Sequence, residues 1–227
     1  MLPTHQNQLL LPNIEPEADL VNFQSPSVHR RCRELGRDWK REVRDLRRAK
    51  TAKEAIGPLD RATEIYGFTK GQFSIIDIIH HCLDTIGPGA HLQLSTWTAA
   101  NADISTVLDL CNSGKVASAR WLVDLTFNRR SPELAQRIRD VFGDDAIRVA
   151  KNHAKFALLS AGDWKLVIRT SMNLNFNPRF ENFQLAHDPE LWHFHDAILS
   201  EVWQRQKRAD QDMLRPYELH LQFESDL

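Results

Sequence analysis

The chain has 227 residues, of which 42% are hydrophobic and 26% charged, and its formal net charge is −1. That balance fits a water-soluble globular chain of one large domain or two small ones. No run approaches the roughly 20 apolar residues that span a bilayer, and the start, Met1-Leu2-Pro3-Thr4-His5-Gln6, lacks a basic stretch followed by an apolar core. Neither a membrane span nor a secretory signal is therefore expected. The three cysteines, Cys32, Cys82 and Cys111, are odd in number and have no metal-ligand spacing. They read as reduced thiols of a cytoplasmic protein, with no metal and no cofactor.

Residues 1–27 carry Pro3, Pro12, Pro16 and Pro26 with little periodicity, which predicts a disordered tail. Residues 28–56 predict a charged helix, because Leu35, Trp39, Val43 and Leu46 recur every three or four residues before Gly57-Pro58 ends the pattern. Between His29 and Lys53, eleven Lys/Arg face four acids. The local balance is +7, so the rest of the chain carries −8. Two readings fit this basic segment: contact with a polyanion, or a solvated helix laced by its own ion pairs.

From about residue 70 helices and strands alternate. Gln72–Ile86 predicts an amphipathic helix closed by Gly87-Pro88-Gly89, and His91–Trp97 a strand. Asp103–Cys111 predicts a helix, Ala119–Phe127 a buried strand, and Ser131-Pro132-Glu133 the start of another helix. Ile147–Val149 is a short strand. Ala154–Leu159 and Leu166–Met172 are strands joined by the turn sequence Ser160-Ala161-Gly162-Asp163. Asn182–Leu185 is a last strand and Pro189–Arg208 a last helix. This order predicts an α/β fold, and the hairpin predicts a mixed rather than wholly parallel sheet. No internal repeat is present. Trp97, Trp121, Trp164, Trp192 and Trp203 fall inside predicted elements and are expected to pack in the core or an interface. His80 and His81 are neighbours on a helix, do not share a face, and are expected to be one buried and one exposed.

The chemistry concentrates near the C-terminal end. His153 and Lys155 are two residues apart, and Ser171 and Asn173 repeat the spacing in the next apolar run. Strand pairing would gather the four polar side chains on one face, with Glu181 close behind. An imidazole, a fixed cation, a hydroxyl, an amide and a carboxylate together suit a phosphodiester. Pre-placed donors stabilise the charge that builds on phosphoryl oxygens, and a neutral imidazole is a nucleophile available near neutral pH.

His153-Ala154-Lys155, followed by Thr170-Ser171-Met172-Asn173 and Glu181-Asn182, resembles the signature of the phospholipase D superfamily. That signature is His-x-Lys, an aspartate further on, then Gly-Ser-x-Asn; Thr170 stands where glycine is usual. Counted from His153 the aspartate position is Ser160, and counted back from Ser171 it is Asp163. The resemblance implies a phospholipase D-like sandwich, a mixed sheet flanked by helices, over residues 57–227, with the basic helix 28–56 as an N-terminal extension. It implies a metal-independent phosphodiesterase in which His153 attacks phosphorus, Lys155 and Asn173 bind the non-bridging oxygens, Ser171 adds a hydrogen bond, and Glu181 orients the imidazole. The superfamily uses two histidines and this chain has one motif, so a homodimer with both copies of His153 in one cleft is implied.

Nucleic acid is the expected substrate, with Arg30, Arg37, Lys40, Arg41, Arg44, Arg129 and Arg130 as candidate phosphate contacts. Two alternatives remain open: an inactive module of the same fold that binds nucleic acid or a protein partner, and a phospholipid phosphodiesterase.

Overall fold

The computed structural model describes residues 40–175 and 178–206. The predicted tail, residues 28–39 of the predicted basic helix and the end of the predicted last helix lie outside the described residues, as do Arg30, Arg37 and Cys32.

Where the basic segment is described, it begins as a strand, β1 (Lys40–Asp45), and not as a helix. Val43 is 74% exposed, so the three-four spacing does not mark a core stripe. In an extended chain alternate residues share a face, and the charges exploit this. Lys40 Nζ lies 2.9 Å from the Glu42 carboxylate, and Arg44 Nε donates to the same carboxylate at 3.1 Å. Arg44 also donates to the carbonyls of Ala55 and Ile56, at 2.8 and 2.7 Å, at the end of α1 (Ala52–Ile56). Thr51 caps the start of α1 by accepting from the Glu54 amide at 3.1 Å. From Lys40 on, the segment expected to be a helical extension is thus a strand and a short helix built onto the sheet.

The strand β2 (Thr63–Thr69) follows, which the sequence pattern did not reveal. Its apolar residues lie on both faces, so the usual alternation is hidden: Ile65 is buried, while Tyr66 and Phe68 face outward. Gly67 is needed for space. A methyl carbon there would meet Phe183 Cε1 at 2.6 Å and Leu46 Cδ1 at 2.8 Å.

The remaining elements are α2 (Ile75–Ile86), β3 (Ala90–Thr96), α3 (Asn101–Asn112), β4 (Val116–Asp124), the short α4 (Phe127–Arg130), α5 (Pro132–Phe142), β5 (Ile147–Ala150), β6 (Phe156–Ala161), β7 (Trp164–Thr170), β8 (Glu181–His187) and α6 (Pro189–Arg205). All fall where the sequence predicts them, within a few residues, except α4, which stands where the sequence predicts the end of a strand and a loop. A capping box starts α2: the Ser74 hydroxyl accepts from the Asp77 amide, and the Asp77 carboxylate accepts from the Ser74 amide. His80 and His81 on this helix are both half-buried rather than split, because His81 Nε2 reaches the Gly57 carbonyl at 2.6 Å.

Among the described residues eight strands form one sheet, in the order β1-β2-β8-β7-β6-β3-β4-β5. Its flanks are parallel pairs, β1 with β2 and β3 with β4 and β5. The centre, β2-β8-β7-β6-β3, is antiparallel throughout. Successive residues of the central strands enter different cores. Leu159 and Ile168 join the larger one, with Ile79, Leu83, Ile104, Trp121 and Ile138. Leu158 and Val167 join the smaller one under α6, with Trp192 and Leu199. Burying each such side chain contributes ~1.5–3 kcal/mol. Beside β5, the buried Gln206 side chain accepts from the Val149 amide and donates to the Val149 carbonyl, both at 2.9 Å. This is the mixed α/β sheet flanked by helices that the sequence predicts.

Candidate active site

Parallel strands β2, β3, β4 and β5 end, and β6 and β8 begin, at the same end of the sheet. In α/β sheets ligands bind beyond the carboxyl ends of strands, and the candidate residues lie here.

His153 and Lys155 are not on a regular strand; they sit in the segment that leads into β6. The segment is held by Asn152, which is only 7% exposed. Its amide nitrogen donates to Ser95 Oγ at 3.0 Å, to the Leu122 carbonyl at 3.2 Å and to the Thr96 carbonyl at 3.4 Å. Its amide oxygen accepts from the Ala154 amide at 3.0 Å. The Asn152 backbone amide donates to Asp124 Oδ2 at 3.3 Å, and Ser95 Oγ donates to the Ala154 carbonyl at 3.0 Å. One buried side chain thereby ties the ends of β3 and β4 to the residues on either side of His153.

His153 is exposed. Lys155 Nζ lies 3.2 Å from His153 Nδ1 and 3.4 Å from Nε2, and donates to the His153 carbonyl at 2.8 Å. Burial lowers the Lys155 pKa below its ordinary value, against the opposing pull of the Glu181 charge. Ser171 pairs through its backbone with Asn182, its amide donating to the Asn182 carbonyl at 3.1 Å. That pairing brings the hydroxyl of Ser171 to the Glu181 carboxylate, to which it donates, and it accepts from the Asn182 amide at 3.1 Å. Glu181 therefore bonds Ser171 and not the imidazole, because it opens β8 two residues before Phe183, the partner of Thr170 at the end of β7, where Ser171 follows. The Asn173 amide oxygen is buried with no hydrogen-bond partner. Its neighbour Leu174 docks on β3, its amide donating to Thr96 Oγ1 at 3.2 Å.

Neither candidate for the signature aspartate joins the group. Ser160 is buried in β6, and Asp163 is exposed in the turn at the far end of that strand.

On the β3–β4 side, the Arg130 guanidinium lies 3.9 Å from the centre of the Trp97 ring and donates to the Trp97 carbonyl at 3.0 Å. The Trp97 and His153 rings are 6.1 Å apart, so Arg130 stands near the candidate nucleophile. Arg129 is exposed on the same short helix. The β1 cations do not join the site. Lys40 and Arg41 lie at the start of β1, at the opposite end of the sheet, and Arg41 Nε donates to Glu64. Arg44 is occupied as a brace for α1.

A cleft of about 400 Å³ opens beside Lys155 and Ser171, with Tyr66, Phe156, Arg169, Gln184 and His195 in its lining. Burial lowers the His195 pKa, and its ring meets Phe156 edge-on at 4.7 Å. Sequence reasoning missed Asn152, Tyr66 and His195. Only Asn152 had a signal, its place beside His153. Among the described residues no group of three or more His, Cys, Asp and Glu could hold a metal ion, and no helix is long and apolar enough to cross a membrane.

No protein-family model and no curated protein matches the sequence. Solved structures do. Polyphosphate kinase from Porphyromonas gingivalis is similar at 18% identity over 71% of this chain, with a TM-score of 0.48, and the chain spans only 29% of its length. Nuc from Salmonella typhimurium, a phospholipase D family member, is similar at 14% identity over 63% of this chain and 95% of its own, with a TM-score of 0.45. NucT from Helicobacter pylori is similar at 13% identity over 50% of this chain and 79% of its own, with a TM-score of 0.38. The structures that this α/β sheet resembles thus include a member of the phospholipase D family.

Proposed function

We propose that the chain is a phosphodiesterase of the phospholipase D type that cleaves nucleic acid through a phosphohistidine. The observation that carries this reading is the convergence of His153, Lys155, Ser171 and Glu181, from three separate segments, at one end of the sheet. A neutral His153 nitrogen forms a bond to phosphorus while the bond to the leaving oxygen breaks. Lys155 and the Asn173 amide hold the non-bridging oxygens, where charge accumulates. A second imidazolium, His153 of a second copy of the chain, gives its proton to the leaving oxygen. Water then attacks phosphorus, loses a proton to that same imidazole, and releases His153. The two-histidine requirement makes the active species a homodimer.

A second reading, a non-catalytic phosphate-binding module, draws on two features. Neither Ser160 nor Asp163, the two positions counted for the signature aspartate, reaches the group, and Glu181 is bonded to Ser171 instead of orienting the imidazole. The two readings separate on hydrolysis of bis-p-nitrophenyl phosphate and of DNA in excess EDTA, by wild type and His153→Ala, with mass measured in solution. Chelator-resistant cleavage by a dimer, abolished by the substitution, is the expected result. A folded monomer that cleaves nothing sinks the catalytic reading.

A further inference from the structure

Beyond the phosphate group, the same end of the sheet presents aromatic surface to solvent. Phe68 is the penultimate residue of β2 and Phe180 immediately precedes Glu181. Their rings stack 5.8 Å apart at an interplanar angle of 24°. They are nonetheless 41% and 66% exposed. A stacked aromatic pair left open to water marks an interaction surface more often than a core fragment. Its surroundings are charged. Phe180 lines an open recess of about 640 Å³ with Arg47, Arg48, Lys70 and Asp45. Asp45 is paired with Arg47, so the lining keeps a net charge of +2.

The pair is also continuous with the candidate site. Phe68 lies opposite Asn182 in the ladder between β2 and β8. Asn182 holds Ser171 and lines the cleft beside Lys155. Tyr66, two residues before Phe68 and on the same face, lines that cleft as well. Cations, aromatic rings and the phosphate-binding group therefore follow one another along a single surface. Cations next to stacking rings, in a groove leading from a phosphate site, match an unpaired nucleic acid strand. A duplex does not fit this pattern, since its base faces are already covered by neighbouring pairs.

Resting on the phosphodiesterase reading, we propose that Phe68 and Phe180 form a base-stacking shelf, flanked by Arg47, Arg48 and Lys70, that selects single-stranded nucleic acid and leads its backbone to His153. The ring faces take bases without regard to sequence, and the cations take the phosphates between them.

The test measures binding and chemistry separately. Fluorescence anisotropy reports binding of a labelled oligothymidylate and of a labelled duplex, in EDTA. Turnover of bis-p-nitrophenyl phosphate, which reaches no further than the phosphate group, is followed on the same samples. Phe180→Ala weakens single-strand binding roughly tenfold and Phe68→Ala/Phe180→Ala further, while diester turnover stays at the wild-type level. Phe180→Trp restores binding. Lys70→Gln flattens the salt dependence of binding. Unchanged binding by the double variant overturns the shelf, as does equal affinity of wild type for duplex and single strand, or no binding of oligothymidylate at all. Loss of the dimer in the double variant also overturns it, by showing that the rings are a subunit interface. Ring-dependent binding without diester hydrolysis would remove the catalytic reading and leave the shelf standing.

Discussion

The two flanks of the candidate site are built on different principles. On the β3–β4 side a buried amide, Asn152, satisfies backbone and hydroxyl groups from three segments at once and leaves His153 with little freedom. On the β1–β2 side the contact is an ion pair in water, Arg47–Asp45, beside rings that face outward. A buried polar network is costly to damage because its unpaired members cannot turn to solvent. Exposed ion pairs are replaced by water at almost no cost. The rigid flank suits a nucleophile that must be aimed, and the solvated flank suits a surface that must exchange its ligand.

The sharpest way to break this contrast is Asn152→Ala. It strips partners from Ser95, the Leu122 carbonyl and the Ala154 amide together, and is expected to cost ~2–4 kcal/mol in urea unfolding. Under conditions where the variant remains folded, turnover should fall more than substrate binding, because His153 is no longer aimed. A variant with wild-type kcat would show that the latch does not position the histidine. Gly67→Ala comes next. The added methyl would press on the fully buried Phe183, and ~1–3 kcal/mol of destabilisation is expected, read from the same unfolding curves.

Asp103, buried at the start of α3 on the rigid side, shows what burial costs without enough partners. Desolvation, and then the charge of Asp77, push its pKa up from 3.8 to about 6. The folded state favours its protonated form, so its contribution is fully present below about pH 4 and is lost as pH rises through 6. Asp103→Asn, neutral at every pH, should therefore raise stability on the order of 1 kcal/mol at pH 7.5 and leave it unchanged near pH 4. An equal gain at both pH values would mean that titration is not the cause. The smallest effect is expected at the far end of β1, away from the site. Lys40→Gln breaks an exposed ion pair and should leave the thermal midpoint where it was. A resolvable drop would place β1 on the rigid side of the comparison.

The legibility of the sequence follows the same division. Elements with one apolar face, such as Ile75–Ile86, were readable because burial imposes a period. β1 was misread since its charges satisfy each other at alternate positions, a pattern that leaves no apolar stripe. β2 was missed because Tyr66 and Phe68 are apolar on its exposed face. At the site, proximity was legible but partnership was not. Spacing brought Ser171 and Glu181 to one place, yet only the register of β7 and β8 decides that the hydroxyl takes the carboxylate. The place of Asn152 beside His153 was visible but its role was not, because its partners, Ser95 and Leu122, are 57 and 30 residues away.

Gln206 beside β5 has a meaning for the chain's behaviour outside its own fold. Its amide imitates a neighbouring peptide group, so the strand edge at Val149 meets a side chain in place of another molecule. A lateral strand with open donors and acceptors is a template on which further copies stack. One residue just past α6 thus acts as a stopper against self-templated growth, and replacing it leaves the Val149 amide and carbonyl without that cover.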